Sequence, residues 1–239
     1  QVDLTAFRPH VLTRYLALPI PLRVGDSQAD LKLSFQTDGQ RSLQAEVQGS
    51  IPFLTLRRGD GKLVLKGGKL AGRLSMEGDK TEVSLTQFSL EDPPIRIAGK
   101  LQIDSTAPFF KVEVEGKEID LISTGQAVSA LIGDVPPVQK ILEVVRGGQI
   151  PRVTFQAQGR SVDELGKLKN LFIRGNIREG RAFVSEEMVG VQGLNFELEG
   201  IKGDVTLSKG ILEAKNLEAR WGEKVKVEEG LFRWGLAGE

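Results

Sequence analysis

Few side chains in this sequence could carry out acid–base, metal or nucleophilic chemistry. His10 is the one histidine, and it has no carboxylate or thiol neighbour at ligand spacing. The chain has no cysteine, which excludes disulfides, zinc–thiolate sites and cysteine nucleophiles. Asp163–Glu164 and Glu186–Glu187 are neighbours in sequence, and neighbours on a strand point to opposite faces. We therefore predict no catalytic residue, no metal site and no cofactor, and expect a protein that is not an enzyme.

The glycine-rich segment 67–72 (GGKLAG) resembles a phosphate-binding loop in composition alone. It lies between two strand-like segments instead of opening a helix, so the anion site of such a loop is missing. Ser161 to Glu164 match a helix capping box, which explains that acidic pair as the first turn of a helix. The pair Arg57–Arg58 is interpreted as a solvated strand end.

Composition indicates a folded domain without an excess of positively charged residues. The 239 residues are 40% hydrophobic and 27% charged, and 32 Lys plus Arg balance 32 Asp plus Glu. Zero net charge argues against a nucleic-acid partner. No apolar run approaches the roughly 18–20 residues that cross a bilayer. Because the chain begins at Gln1 and not Met, we expect a fragment whose membrane contact lies in segments outside it.

Most of the chain alternates apolar and polar residues, which is typical of strands with one buried and one wet face. Short turn signals such as Gly78–Asp79 separate the runs. The pattern predicts a mainly β fold, a curled antiparallel meander forming a groove. The alternating residues predicted to line this groove are Leu33, Phe35, Val83, Leu85, Ile97, Leu101, Val112, Phe155, Phe196 and Val205.

The period becomes helical within residues 123–148. Apolar residues recur there at i, i+3, i+4 and i+7, after a Pro pair and before a Gly pair. We predict a helical hairpin packed as a cap on the apolar face of the sheet; its apolar stripe is Val138, Ile141, Leu142 and Val145. The whole chain, 1–239, is then a single elongated module. Its predicted parts are a helical or irregular lead-in (1–30), strands (31–122), the hairpin (123–148) and strands (149–239).

An alternating sheet has an apolar face that must be covered. Helices of about 10–12 residues span only some 15–18 Å, whereas ten or more strands at about 4.8 Å spacing extend well beyond that. Two possibilities follow. The sheet folds back to fill its own core as a sandwich, or part of the face is left for an apolar ligand.

A family resemblance bears on this choice. Residues 122–184, and the Ile-x-Gly-x-Leu-x-Ile-Asp unit from Ile97 to Asp104 with the segment after it, resemble the C-terminal region of bacterial AsmA-like envelope proteins. The resemblance extends from about Leu31 and implies a trough with an apolar inside. It further implies a periplasmic location, an anchor in the inner membrane, and a role in carrying phospholipids toward the outer membrane.

The expected function is therefore non-catalytic: the chain holds or conducts acyl chains of phospholipid or a similar lipid, which supports outer-membrane integrity. Other envelope proteins are possible partners. The alternative is a structural or interaction scaffold in envelope biogenesis, with a self-filled β-sandwich core and no lipid; an adhesin-like β domain is a further one.

Overall fold

The computed structural model describes residues 1–12, 23–39, 42–59, 61–132, 136–223 and 225–236. All twelve strands belong to one weakly curved sheet, and each pairs antiparallel with the next one in the chain. This confirms the predicted mainly β, antiparallel meander, but the sheet is only weakly curved where a curled groove was predicted. The strands are β1 (Val2–Phe7), β2 (Arg23–Thr37), β3 (Ser42–Arg58), β4 (Gly61–Glu77), β5 (Lys80–Glu91), β6 (Pro94–Asp104), β7 (Phe109–Asp120), β8 (Val145–Gly159), β9 (Leu171–Val184), β10 (Phe196–Ser208), β11 (Ile211–Trp221) and β12 (Val225–Gly235).

The helices are short and lie mostly at one end of the sheet. They are α1 (Pro9–Leu12), α2 (Leu121–Ile132), α3 (Pro136–Val144), α4 (Val162–Leu165) and α5 (Glu186–Val189). We call the end where β7 passes into α2 and α3 passes into β8 the helix end. The opposite end, which carries the β4–β5 turn at Gly78–Asp79, is the turn end.

The N-terminal lead-in differs from the prediction. Residues 1–30 were expected to be helical or irregular, but they contain β1 and the start of β2. Helix α1 covers only Pro9–Leu12, and the rest of the predicted helical segment lies outside the described residues. The reason is pairing: Val2 and Leu4 lie opposite Leu33 and Leu31. The hydrogen-bonded edge of β2 therefore outweighs the weak helical pattern.

Both helices of the predicted hairpin are present, with one boundary changed. Asp120 caps α2, because its Oδ1 accepts hydrogen bonds from the backbone nitrogen and the hydroxyl of Ser123, both at 2.7 Å. The Ser123 backbone donor is the main cause that holds the pKa of Asp120 below its ordinary value. Val145 was predicted in the helical stripe but is the first residue of β8, since the glycines after it allow the chain to turn into the sheet.

The capping box predicted at Ser161 is confirmed. The Ser161 hydroxyl accepts a hydrogen bond from the backbone nitrogen of Glu164 at 3.3 Å. The Glu164 carboxylate accepts one in return from the backbone nitrogen of Arg160 at 2.9 Å. The acidic pair Asp163–Glu164 therefore belongs to the start of α4, at the turn end.

Each strand has a polar face and an apolar face. On β7, Val112 and Val114 lie on one side, while Lys111, Glu113 and Glu115 lie on the other. We call the side that carries the two valines the apolar face and the opposite side the polar face.

The polar face is tied together by ion pairs between neighbouring strands. Glu115 pairs with Arg152 of β8 at 2.6 Å and with Lys117 of its own strand at 3.1 Å. The Lys117 ammonium first, and then the Arg152 guanidinium, hold the pKa of Glu115 below its ordinary value. Glu82 pairs with Lys100 at 2.7 Å, and this contact likewise lowers its pKa. Such exposed pairs contribute little individually, but they set the charge pattern of this face.

Glycines on the apolar face allow neighbouring strands to pack side chain over backbone. A Cβ at Gly99 would lie 2.9 Å from the Glu113 carbonyl oxygen and 3.2 Å from a Val114 methyl group. A Cβ at Gly72 would lie 3.0 Å from the Ser84 carbonyl oxygen. The Ile-x-Gly-x-Leu unit noted in the sequence thus places glycine where an adjacent strand leaves no room for a side chain.

We expect Gly99→Val to lower the free energy of unfolding by about 1–3 kcal/mol, because the added methyl groups would push against backbone atoms of β7. The matched control is Ala98→Val, on the exposed neighbouring position, where a β-branched residue suits a strand. Urea denaturation followed by circular dichroism measures both. Equal stability of the two variants would contradict the proposed close packing at Gly99.

Candidate functional site

Two rows of directly opposed residues cross all twelve strands and contain only apolar residues and glycine. Residues opposite each other in an antiparallel sheet share a face, so both rows lie on the apolar face. The first row is Val2, Leu33, Val47, Gly72, Leu85, Gly99, Val114, Phe155, Ile173, Leu207, Leu212 and Trp234. The second is Leu4, Leu31, Gly49, Leu70, Phe88, Ile97, Gly116, Val153, Gly175, Val205, Ala214 and Phe232.

The predicted groove residues all lie on this apolar face. Leu33, Leu85 and Phe155 are in the first row, and Ile97 and Val205 are in the second. A third row toward the turn end contains the opposed residues Phe35, Ala45, Leu74, Val83, Leu101, Val112 and Ala157.

Phe196 lies apart from the other predicted residues. It is at the helix end, opposite Val184, and its ring centroid is 4.8 Å from that of Trp221. It therefore belongs to the rim of the apolar face, where it stacks against a ring of the neighbouring strand.

Much of this face is open. None of the predicted groove residues is fully buried, and Phe35 and Val83 are 62% and 40% exposed. The accessible surface of the chain is 15516 Å², whereas a compact monomer of this mass exposes about 10,500 Å². All strands are in a single sheet, so no second sheet covers the apolar face within the described residues. The apolar face is thus left partly to solvent.

The C-terminal part of the apolar face contains a cavity of about 290 Å³. Strands β8 to β12 form its floor, with Val205 and Ala214 of the second row among the lining residues. Asn176 is the one polar residue in the lining, and no charged residue contributes. This volume is at the lower end of the range of small-molecule pockets. The walls can offer van der Waals contact and exclusion of water, and almost no hydrogen bonding.

Helical residues cover part of this cavity. Ile141 and Val144 of α3, Leu121 of α2 and Met188 of α5 join the strand residues in lining it. Val145 also lines it, from the first position of β8. The alternating pattern missed Leu121 and Met188, because they lie in short helical segments whose placement depends on the sheet.

The predicted helical stripe divides into two groups. Ile141 contacts the cavity, but a Leu142 methyl carbon lies 3.5 Å from the position of a Cβ on Gly125, so Leu142 packs toward α2. The side chain of Val138 lies outside the described residues. Helix α2 also contacts β3 and β4, and α3 contacts β8 and β9. The function of the hairpin as a cap on the whole apolar face remains a prediction.

β-Bulges account for the position of the cavity. The four pairings among β8, β9, β10, β11 and β12 each contain two or three register shifts. The pairings β1–β2, β4–β5 and β5–β6 contain one each, β2–β3 contains two, and β3–β4 and β6–β7 contain none. Glu179, Asn216 and Glu229 in this region have φ between 51° and 55°. This left-handed conformation is costly for the two glutamates, whereas asparagine tolerates it better. Because bulges bend strands and increase their twist, their concentration here fits the position of the cavity over β8 to β12.

The described residues contain no group of three or more His, Asp or Glu side chains placed to hold a metal ion. No described helix is long and apolar enough to cross a membrane. The side chain of His10 is not among those described. Comparisons of the chain with family models, curated proteins and solved structures found no match.

We expect Glu179→Gly to raise the free energy of unfolding by about 1 kcal/mol, because glycine removes the penalty of the left-handed backbone at the β9 bulge. Arg178→Gly is the matched control: its φ is not in that region, so glycine there should destabilise the strand by about 0.5–1 kcal/mol. Thermal melts of both variants measure the effect. If both variants are destabilised to the same extent, the bulge at Glu179 does not have the geometry described.

We expect Ile141→Asp to lower the melting temperature by several degrees, since it places a carboxylate against cavity walls that offer no partner. Glu143→Gln, on an exposed position two residues along the same helix, should leave the melting temperature unchanged. A melting temperature for Ile141→Asp equal to that of the native chain would show that α3 is only loosely held against the cavity.

Proposed function

We propose that this chain is a non-catalytic carrier that holds or conducts the acyl chains of phospholipid or a similar lipid. The observation that supports this most directly is the uncharged cavity over β8 to β12, continuous with two apolar rows that cross the whole sheet. Each CH₂ group moved from water onto such a surface contributes about 0.8 kcal/mol. An acyl chain held only by these contacts has no fixed polar anchor and can slide between equivalent positions on the protein surface.

The proposed setting is the bacterial periplasm, between inner and outer membrane, where such a carrier would support outer-membrane integrity. The resemblance of residues 122–184 and of the unit at Ile97–Asp104 to AsmA-like proteins motivates this part of the proposal.

The competing proposal is a scaffold that docks other envelope proteins and carries no lipid. In its sandwich form it requires a second layer that fills the apolar face. The single sheet and the large exposed surface weigh against such a filled core. A protein partner on the open face would still be compatible with them, so the test must detect lipid directly.

The test is photo-crosslinking from a diazirine amino acid at Val205, on the cavity wall, compared with Thr206, the next residue on the polar face. We expect a probe at Val205 to capture phospholipid acyl chains from bacterial membrane extract, and a probe at Thr206 to capture none. A probe at Phe196 then tests whether lipid also reaches the rim. Mass spectrometry of the crosslinked peptides is the readout.

A thermal melt of each probe-bearing protein verifies that the fold is intact. If folded protein with the probe at Val205 captures no lipid, acyl-chain binding is wrong for this chain. Capture of a protein at Val205 and not of lipid would support the scaffold.

A further inference from the structure

Three apolar residues lie next to one another at the helix end of β10, β11 and β12. Phe196 begins β10, Trp221 ends β11, and Val225 begins β12 directly opposite Trp221. The ring centroids of Phe196 and Trp221 are 4.8 Å apart, with 34° between the ring planes. Trp221 is 41% exposed and Val225 is 45% exposed. We call these three residues the mouth cluster.

The mouth cluster continues the lining of the cavity on the same three strands. Leu198, Ala219 and Val227 line the cavity, and each lies two residues from a member of the mouth cluster on its own strand. Residues two apart on a strand share a face and are about 7 Å apart. The pairings run without a register shift from Phe196 to Leu198 and from Ala219 to Trp221. The mouth cluster therefore lies on the apolar face, one step beyond the cavity toward the helix end.

The helical hairpin covers a different part of the helix end. Helix α3 packs on β8 and β9, and no described helix packs to a similar extent on β11 or β12. Ile141 and Val144 of α3 therefore cover the cavity on its β8 and β9 side. On the β11 and β12 side, the cavity wall passes directly into the exposed side chains of the mouth cluster.

The size and composition of the mouth cluster favour a lipid bilayer over a protein as its partner. A whole aromatic side chain offers about 150–250 Å², so the exposed parts of the three side chains amount to roughly 250 Å² in all. A stable protein interface buries about 800 Å² on each partner. A bilayer needs no matching surface. Tryptophan is enriched at membrane–water interfaces because its ring is apolar while its indole N–H can hydrogen-bond.

We propose that the mouth cluster docks on a lipid bilayer and inserts among its acyl chains, so that a lipid tail passes between the bilayer and the cavity. This inference rests on the proposed acyl-chain function, and it names the surface through which the lipid enters or leaves. On this path the tail meets Trp221 and Val225 first, and then Ala219 and Val227 of the cavity wall. All four are apolar, so the tail is not exposed to water on the way.

The two tryptophans of the chain report docking at two positions. Trp221 belongs to the mouth cluster, whereas Trp234 lies about 30 Å along β12 from Val225, toward the turn end. Proteins that keep one tryptophan each, through Trp234→Phe or Trp221→Phe, are mixed with phosphatidylcholine vesicles whose acyl chains carry bromine, a quencher of indole fluorescence. The docking signal is the quenching that disappears when the vesicles are removed. We expect this signal at Trp221 and none at Trp234.

Sedimentation with phosphatidylcholine vesicles measures the strength of the contact. Native protein should bind the vesicles, and Trp221→Ser with Val225→Ser should weaken binding at least about tenfold, because two apolar side chains no longer leave water. Thermal melts show whether each variant is folded. If the double variant is unfolded, Val225→Ser alone, at an exposed strand end, should still weaken binding several-fold.

The matched control is Val162→Ser with Leu231→Ser, which also replaces two exposed apolar side chains. Val162 is in α4 at the turn end, and Leu231 is on the polar face of β12, next to Phe232 of the second row. Neither residue lies beside the cavity. This control should bind vesicles as the native protein does.

Three results would overturn the bilayer contact. They are equal docking signals at the two tryptophans, equal vesicle binding by the mouth-cluster variant and the control, and no vesicle binding by the native protein. If vesicles are not bound and the native protein forms a dimer that Trp221→Ser with Val225→Ser dissociates, the mouth cluster is a protein contact instead.

The photo-crosslinking probe at Val205 distinguishes this failure from failure of the acyl-chain function. It is supplied with a short-chain phospholipid as monomers, so that capture needs no bilayer. Capture at Val205 without vesicle binding overturns the bilayer contact and leaves the acyl-chain function standing. Vesicle binding without capture at Val205 overturns the acyl-chain function, and the passage of lipid tails through the mouth cluster with it.

Discussion

The register of the antiparallel pairings is the constraint on which the other features of this chain depend. Since opposed residues share a face, a period-two sequence produces an apolar surface only if every strand pairs in the correct register. Twelve strands keep that match, so two rows of apolar residues and glycine extend from β1 to β12. A slip of one residue in a single strand would place charged side chains in the row. The bulges in β8 to β12 therefore come in combinations that bend the strands and preserve the face.

A surface of this kind is stabilised differently from a closed core. The fully buried apolar residues include several alanines, such as Ala157, Ala214 and Ala219, and most large side chains are half-buried. Stability then comes from long runs of backbone hydrogen bonds and from many partial side-chain contacts between neighbouring strands. The glycines at positions such as Gly99 let strands approach closely. The same features leave apolar side chains accessible from solvent. A surface that binds an apolar ligand needs such exposed side chains, and a packed core does not provide them.

The sequence alone predicts which face of the sheet most apolar residues occupy. Strict alternation reports the face of each residue directly, so Leu33, Leu101 and Val205 could be assigned to one side without knowledge of the pairing. The capping box at Ser161 could be predicted because its signal lies within four residues. Features that depend on distant segments could not be predicted. Strand β1 forms because β2 offers it an edge, and Met188 contributes to the cavity because bulged strands bring α5 over it.

The three opposed cations Arg23, Arg57 and Lys62 show the same limit for charged residues. In sequence, Arg57–Arg58 is an ordinary basic pair, and Arg23 is far away along the chain. Only the register brings Arg23, Arg57 and Lys62 side by side. An apolar surface on its own does not select among lipids, because hydrocarbon contacts are alike for every acyl chain. Selectivity must come from polar or charged groups at the boundary of that surface.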